Sequence, residues 1–433
     1  LSLSLSLADS LPPVPAGRGA VCPGKPPPVR RIVMDNYSGS GDNPAAYGLS
    51  YPARTLASRV AEKEAHQFLV GTHTLKERNE IHVIEYKEET EQVECAAVYS
   101  HPGEIWQLEA SSSNKDLFGT VYTDKKLSGY KCSLWKLTDA PPPNEETNVA
   151  GVEDSQNIEQ LTPLRHVGDL KGHSGPINTL RWSVLEEGDD TGTEAVVTLD
   201  SKNIRWWNLD KGADTTLDEK RCLKSPEIPG LSAGCFDPHH EKMFVAASKQ
   251  SISCWDFRSN KPGVTVADAH LGRILDLDFN PNHPYHILSC GEDMLARFWD
   301  IRKEKQPLLV LGGHTHWIWS VRFNRYHDQL VLSSGTDSNV NLWSIVSCSS
   351  APVGDLFDTS MDLGGGEKKD EEKNDDLSGE KEGDKLIKRY EGHRDSVYAI
   401  AWSSDAWVFA SLSFDGTVVV NNVPQSEKYK ILL

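Results

Sequence analysis

Residues 269–302 read AHLGRILDLDFNPNHPYHILSCGEDMLARFWDIR, and residues 313–344 read GHTHWIWSVRFNRYHDQLVLSSGTDSNVNLWS. The two lines say nearly the same thing. His270 recurs as His314, Asp293 as Asp337 and Trp299 as Trp343, each 44 positions on. A period of this length, opened by a histidine and closed by a tryptophan, is the signature of one β-propeller blade. The segments 320–323 (SVRF), 330–334 (LVLSS) and 340–343 (VNLW) are short β-branched or aromatic runs, separated by Asn, Asp, Gly and Ser. They therefore read as successive antiparallel strands. One small sheet cannot bury both its faces, whereas a radial stack of such sheets can.

Within a blade, a loop His, a strand Ser, a turn Asp and a Trp indole can join in one buried hydrogen-bond chain. His314, Ser334, Asp337 and Trp343 supply the four types in one copy, and His270, Asp293 and Trp299 recur in the other. His393 and Asp415 mark a further copy near the C-terminus. These sets resemble the structural tetrad of the WD-repeat family, which makes them scaffold rather than catalytic machinery. Because the spacing repeats with the blade, a catalytic His–Ser–Asp reading is disfavoured.

The 433 residues accommodate a seven-bladed all-β WD40 propeller at about 40–45 residues per blade. A formal charge of −18 argues against a nucleic-acid surface, which would present a basic patch. The eight cysteines include no CxxC pair and several sit in strand-like runs, so buried thiols of a reducing compartment are expected over disulfides or a zinc site. No apolar run is long enough for a membrane helix. The expectation is a soluble intracellular protein.

Residues 1–46, opening LSLSLSL and continuing Pro- and Gly-rich, read as a disordered or mis-annotated extension without the basic start and apolar core of a signal peptide. The propeller is assigned to residues 47–433. Blade one starts with YGLSYPARTL (47–56) and blade two with EIWQLEA (104–110), followed by a polar, acid-rich loop at 139–160. In blade three Asp200 falls one place early, which weakens its tetrad; in blade four Lys249 stands where the turn Asp should be. Residues 350–385 interrupt the repeat with an acidic stretch that cannot bury a core. The terminal YKILL (429–433) reads as a last strand. Ring closure through that segment and closure through an N-terminal strand both remain open.

No GxxxxGK[ST] loop, HExxH helix or GxSxG elbow is present. His314 and His316 have metal-ligand spacing, but one is the repeat histidine. Beyond the tetrads no polar constellation recommends an enzyme, so a non-catalytic protein without cofactor or metal is expected. Trp317 and Trp319 enter the sixth blade on one side of a regular strand. Packing between blades is one reading, and a partner contact at the rim is the other.

The run CGEDMLARFWDIRK (290–303) resembles the DWD box of WD proteins that dock onto the adaptor of cullin–RING ubiquitin ligases. Asp293, Trp299, Asp300 and Arg302 match its four positions, and the resemblance gives Asp300 and Arg302 the adaptor contact. An arginine there can donate forked hydrogen bonds; a salt bridge to Asp300 is the bland alternative. Arg258, after Trp255 and Asp256, marks an incomplete second copy.

Longer stretches carry a closer resemblance. YGLSYPARTL, FLVGTHTLKERNEIHVIEY, HPGEIWQLEAS, GHTHWIWSVRFN, DSVYAIAWSS, ASLSFDGTVV and KYKILL look like the EARP- and GARP-complex-interacting WD proteins. That resemblance implies a propeller binding the vesicle-tethering complexes of endosomal recycling and retrograde traffic, in the cytoplasm with trans-Golgi and endosomal association. Similar plant proteins are substrate receptors of cullin–RING ligases that damp abscisic-acid signalling, which implies a second partner class and a nuclear location.

Overall fold

The structure is a computed structural model. It describes residues 45–75, 78–124, 129–138, 162–173, 175–183, 193–210, 216–224, 230–240, 242–259, 262–350 and 383–432. Of the extension expected over residues 1–46, Ala45 and Ala46 instead belong to a propeller strand, and the rest of it, the loop at 139–160 and nearly all of the acidic stretch lie outside the described residues.

Seven antiparallel blades form a β-propeller. The inner strands are Ala53–Ser58, Glu104–Ala110, Ile177–Trp182, Leu231–Phe236, Ile274–Phe279, Ile318–Phe323 and Val397–Trp402. Each touches the next, and Val397–Trp402 returns to Ala53–Ser58, so the ring is closed. The core lies between blades. For example, Leu288, Phe298 and Leu311 of blade five pack on Val321, Phe323 and Trp343 of blade six. Among the described residues no helix is long and apolar enough to cross a membrane.

Closure uses the N-terminal strand. Ala45–Gly48 pairs antiparallel with Thr417–Asn422 as the outer strand of blade seven, with Ala45 opposite Val420 and Gly48 opposite Thr417. The stretch YGLSYPARTL, expected to open blade one, is therefore the junction of two blades: Tyr47 and Gly48 lie in blade seven, and blade one opens at Ala53. Pro52, which has no N–H for a ladder, lies in the link, and the Leu49 and Ala53 N–H groups bond Gly416 and Phe414 carbonyls at 2.9 and 3.2 Å.

The same closure corrects the reading of YKILL as a strand. With the outer edge of blade seven taken, the chain instead forms the helix Gln425–Leu432. Pro424 precedes it, and its carbonyl accepts the N–H groups of Glu427 and Lys428 at 3.0 Å. Ile431 packs against the buried cluster that includes Trp402, Phe409 and Val423.

Candidate functional site

The tetrads fix the loops at one end of the ring, called here the upper end. In blade five His270 Nδ1 lies 2.9 Å from Asp293 Oδ1 and Nε2 lies 2.7 Å from Ser289 Oγ, which also accepts the Trp299 indole N–H at 3.0 Å. Blade six repeats this with His314 Nδ1 to Asp337 at 3.0 Å, and His314 Nε2 and Trp343 Nε1 to Ser333 Oγ at 2.9 and 3.0 Å. The strand residue is Ser333, not Ser334. Trp343 pairs across the ladder with Val331, and Ser333, two residues on, shares that face. Ser334 points to the other face, where its buried hydroxyl has no hydrogen-bond partner. Burial alone would raise the Asp337 carboxyl, but the His314 hydrogen bond and the Thr315 and Asn339 N–H groups bring it down to about 2.

The same ladder rule accounts for blades two, three, four and seven: the residue two beyond the cross-strand partner of the Trp position supplies the hydroxyl, or in blade four lacks it. In blade three this is Thr198, which bonds His173 and Trp207 at 2.8 Å each, while Asp200 meets His173 at 3.0 Å. That tetrad is complete despite the displaced Asp. In blade two Thr120 bonds His101 at 3.0 Å and Trp135 at 2.8 Å, a set the sequence reading missed. In blade four the position is Ala246, and the Trp255 indole N–H is unpaired. Ser248 pairs with Ser251 there, leaving only Lys249 and Gln250 in the turn and no room for the Asp. In blade seven His393 reaches Ser411 at 2.8 Å and Ser413 at 3.0 Å; Ser413 in turn donates to Asp415, so Asp415 joins indirectly. Both ring nitrogens of the repeat histidines are thus committed.

The upper end has a second layer. In every blade the inner strand slips register at its start, skipping Arg54, Trp106, Asn178, Ser232, Leu275, Trp319 and Tyr398 in turn. A bulge re-aims its extra residue, and all seven line the central channel, a cavity of about 670 Å³. The mouth is asymmetric. Blades six, seven, one and two contribute Trp319, Tyr398, Arg54 and Trp106; blades three to five contribute Asn178, Ser232 and Leu275. The Arg54 guanidinium carbon lies 5.3, 5.3 and 4.8 Å from the Trp106, Trp319 and Tyr398 ring centres. Opposite, Asn178 and Ser232 donate to the Leu231 and Ile274 carbonyls of the next blades at 2.6 and 2.8 Å.

Exposed apolar side chains surround this mouth. Leu75, Tyr130, Leu271, Met294, Trp317 and Phe414 all sit in or beside upper loops, Leu271 being 83% exposed. The two candidate rim tryptophans part company here. The bulge breaks the alternation, so Trp317 stays exposed on the rim while Trp319 turns into the channel, with ring centres 6.5 Å apart at 71°.

Deeper in the channel the charges neutralise one another. Arg181 bonds Glu109 at 2.6 Å, Asp276 at 3.1 Å and the Gly234 carbonyl at 3.2 Å. Asp276 also accepts from Ser320 at 2.8 Å and from Arg322. This network ties blades two to six together. Burial pushes the nearby Asp278 carboxyl up to about 6, against the pull of Arg322.

At the lower end Arg302 follows the third strand of blade five, Ala296–Asp300. Its Nε and Nη2 donate to the two Asp300 oxygens at 2.9 Å each, and its guanidinium lies 4.6 Å from the Tyr285 ring centre. Asp300 is buried, whereas the Arg302 side chain is 59% exposed. The Arg302 hydrogen bond holds the Asp300 carboxyl below its usual value. Arg258 likewise pairs with Asp256 in blade four, its Nε 3.0 Å from both carboxylate oxygens and its Nη2 2.8 Å from Oδ2. So the salt bridge to Asp300 is present, and the exposed edge of each guanidinium faces outward.

His66, Glu88 and Asp405 bring ligand atoms within 4.8 Å of one another. His66 Nδ1 is 2.8 Å from Ser403 Oγ and Nε2 is 3.3 Å from Glu88, an arrangement that already serves the seam between blades one and seven. The described cysteines form no disulfide with one another.

Comparison with known proteins agrees with this architecture. The family model described as EIPR1 beta-propeller matches residues 41–343, and that of the WD domain, G-beta repeat, matches residues 384–421. The EARP-interacting protein homolog of Danio rerio is 38% identical over 90% of this chain and 99% of its own length. The EARP and GARP complex-interacting protein 1 of Homo sapiens is 36% identical over the same shares. The WD repeat-containing protein DWA2 of Arabidopsis thaliana is 32% identical over 88% of this chain and 97% of its own length. From blade one to the last repeat, this chain belongs to the EIPR1 β-propeller family.

Proposed function

We propose that the protein is a non-catalytic scaffold that binds EARP and GARP complexes and works in the cytoplasm at trans-Golgi and endosomal membranes. What carries this reading is the end-to-end likeness to proteins named for interacting with those complexes. The upper rim supplies a surface suited to it. Exposed aromatic and apolar side chains beside an arginine are the composition that binding hot spots favour, and the repeat histidines beneath them are locked into the scaffold. The test is co-purification of the full chain from cells with quantitative detection of EARP and GARP subunits, which this reading requires to be enriched over a propeller control.

A second reading rests on the lower end. Arg302 and Arg258 are held rigid by their neighbouring carboxylates while remaining 59% and 70% exposed. A preorganised guanidinium with a free edge suits a partner carboxylate or carbonyl. Such an arginine would serve the adaptor of a cullin–RING ligase, and the two readings use opposite ends of the ring. Recovery of cullin and its adaptor, lost on Arg302→Ala, would support it.

A further inference from the structure

The channel mouth contains a cation that the fold does not neutralise. Arg54 projects from the bulge of blade one between rings from three other blades. Among the described residues it makes no hydrogen bond or ion pair, and the groups that favour its charge are the phenols of Tyr398 and Tyr130. Burial accordingly works against its charged form. The arginines below it are treated differently: Arg181 has Glu109 and Asp276, and Arg322 has Asp276. Beside Arg54, the Trp319 indole N–H is buried and unpaired. Unmatched buried donors are rare in folded proteins and ask for an explanation.

We propose that the upper mouth of the channel is a receptor for a carboxylate-bearing peptide segment of a protein partner, an Asp or Glu side chain flanked by aromatic or apolar residues. Arg54 receives the carboxylate, and the Trp319 N–H offers a second donor. The walls of Trp106, Trp319 and Tyr398 and the exposed Trp317 take the flanking residues. A cationic side chain is the wrong guest, because the position over the rings is already held by Arg54. The charge match also sets direction: deeper in the channel Arg181 and Arg322 already hold carboxylates, whereas Arg54 at the mouth holds none among the described residues. The mouth opens into the channel cavity of about 670 Å³, which leaves room for a side chain to enter. The proposal rests on the scaffold reading but is indifferent to which complex supplies the segment.

The test is isothermal titration of the purified full chain with N-acetyl-Gly-Phe-Glu-Phe-Gly-amide and with the same peptide carrying Gln for Glu. The Glu peptide is expected to bind at least about tenfold tighter, the worth of one hydrogen bond to a charged group. Arg54→Gln should erase the difference, Trp319→Phe should reduce it, and Arg302→Ala at the other end should leave it intact. Melting curves check that each variant folds; if Arg54→Gln does not, the paired peptides on the unaltered chain still decide. Equal affinity for the two peptides, no binding of either, or an unchanged preference in folded Arg54→Gln overturns the proposal. An acidic stretch of the chain itself occupying the mouth would appear as absence of binding. Peptide selectivity without capture of EARP or GARP subunits would instead count against the proposed function alone.

Discussion

Arg54 and Trp319 belong to the first and sixth blades, far apart in the chain, yet the guanidinium carbon of one lies 5.3 Å from the indole of the other. The relationship is a product of repetition. Each inner strand carries a bulge at the same place, so seven unrelated side chains converge on one opening. Their backbone positions follow from the fold, while their identities are free to serve recognition.

The ladder rule makes a sharp distinction between adjacent serines. Ser333→Ala should cost about 1–3 kcal/mol, because it leaves the Trp343 and His314 nitrogens without their partner. Ser334→Ala should change stability by no more than about 0.5 kcal/mol, since its hydroxyl has none. Urea denaturation of the two variants checks this.

The same rule predicts a gain in blade four. Ala246→Ser places a hydroxyl where the unpaired Trp255 N–H can donate, and should stabilise the chain by about 0.5–1.5 kcal/mol. An unchanged or lowered denaturation midpoint would mean that the site lacks room for the oxygen.

Acid should loosen the ring through two buried histidines, an effect that the raised carboxyl of Asp278 offsets in part. Burial lowers His101 and His393 from 6.5 to about 4 in the fold. Between those values the unfolded chain binds protons that the folded chain does not, so stability falls as pH drops from 6.5 towards 4. Each histidine contributes at most about 3 kcal/mol over that window. Thermal melting from pH 7 to 4.5 should show the decline, and His393→Asn should flatten it.

Structural and recognition residues should separate cleanly. Trp343→Ala opens the buried seam between blades five and six and should cost about 3–5 kcal/mol. Arg302→Ala removes a side chain that is 59% exposed and opens no seam between blades, so its effect on stability should be the smaller of the two. Denaturation curves for both variants measure the contrast.

Much of this was legible in the sequence because the blade repeats. His270, His314, Asp293, Asp337, Trp299 and Trp343 could be aligned by period alone, and they fall where the repeat requires. Ser334 could not be told from Ser333, because two adjacent serines differ only in the face they occupy. That face is set by the ladder partner of the tryptophan. Closure was undecided because a four-residue strand carries little pattern of its own; pairing with Thr417–Asn422 defines it. The channel mouth was the least visible feature. Arg54, Trp106 and Tyr398 read as ordinary strand residues, and only the bulges, which interrupt alternation, bring them to Trp319.

The central claim is that the upper end binds the tethering complexes. The most direct measurement is affinity capture from cells of the full chain beside Trp317→Ala and Arg302→Ala, with quantitative mass spectrometry of the recovered partners. The account predicts that EARP and GARP subunits are recovered with the unaltered chain, are depleted with Trp317→Ala and persist with Arg302→Ala. Subunits that persist with Trp317→Ala but are lost with Arg302→Ala would contradict it and move the binding surface to the other end of the ring.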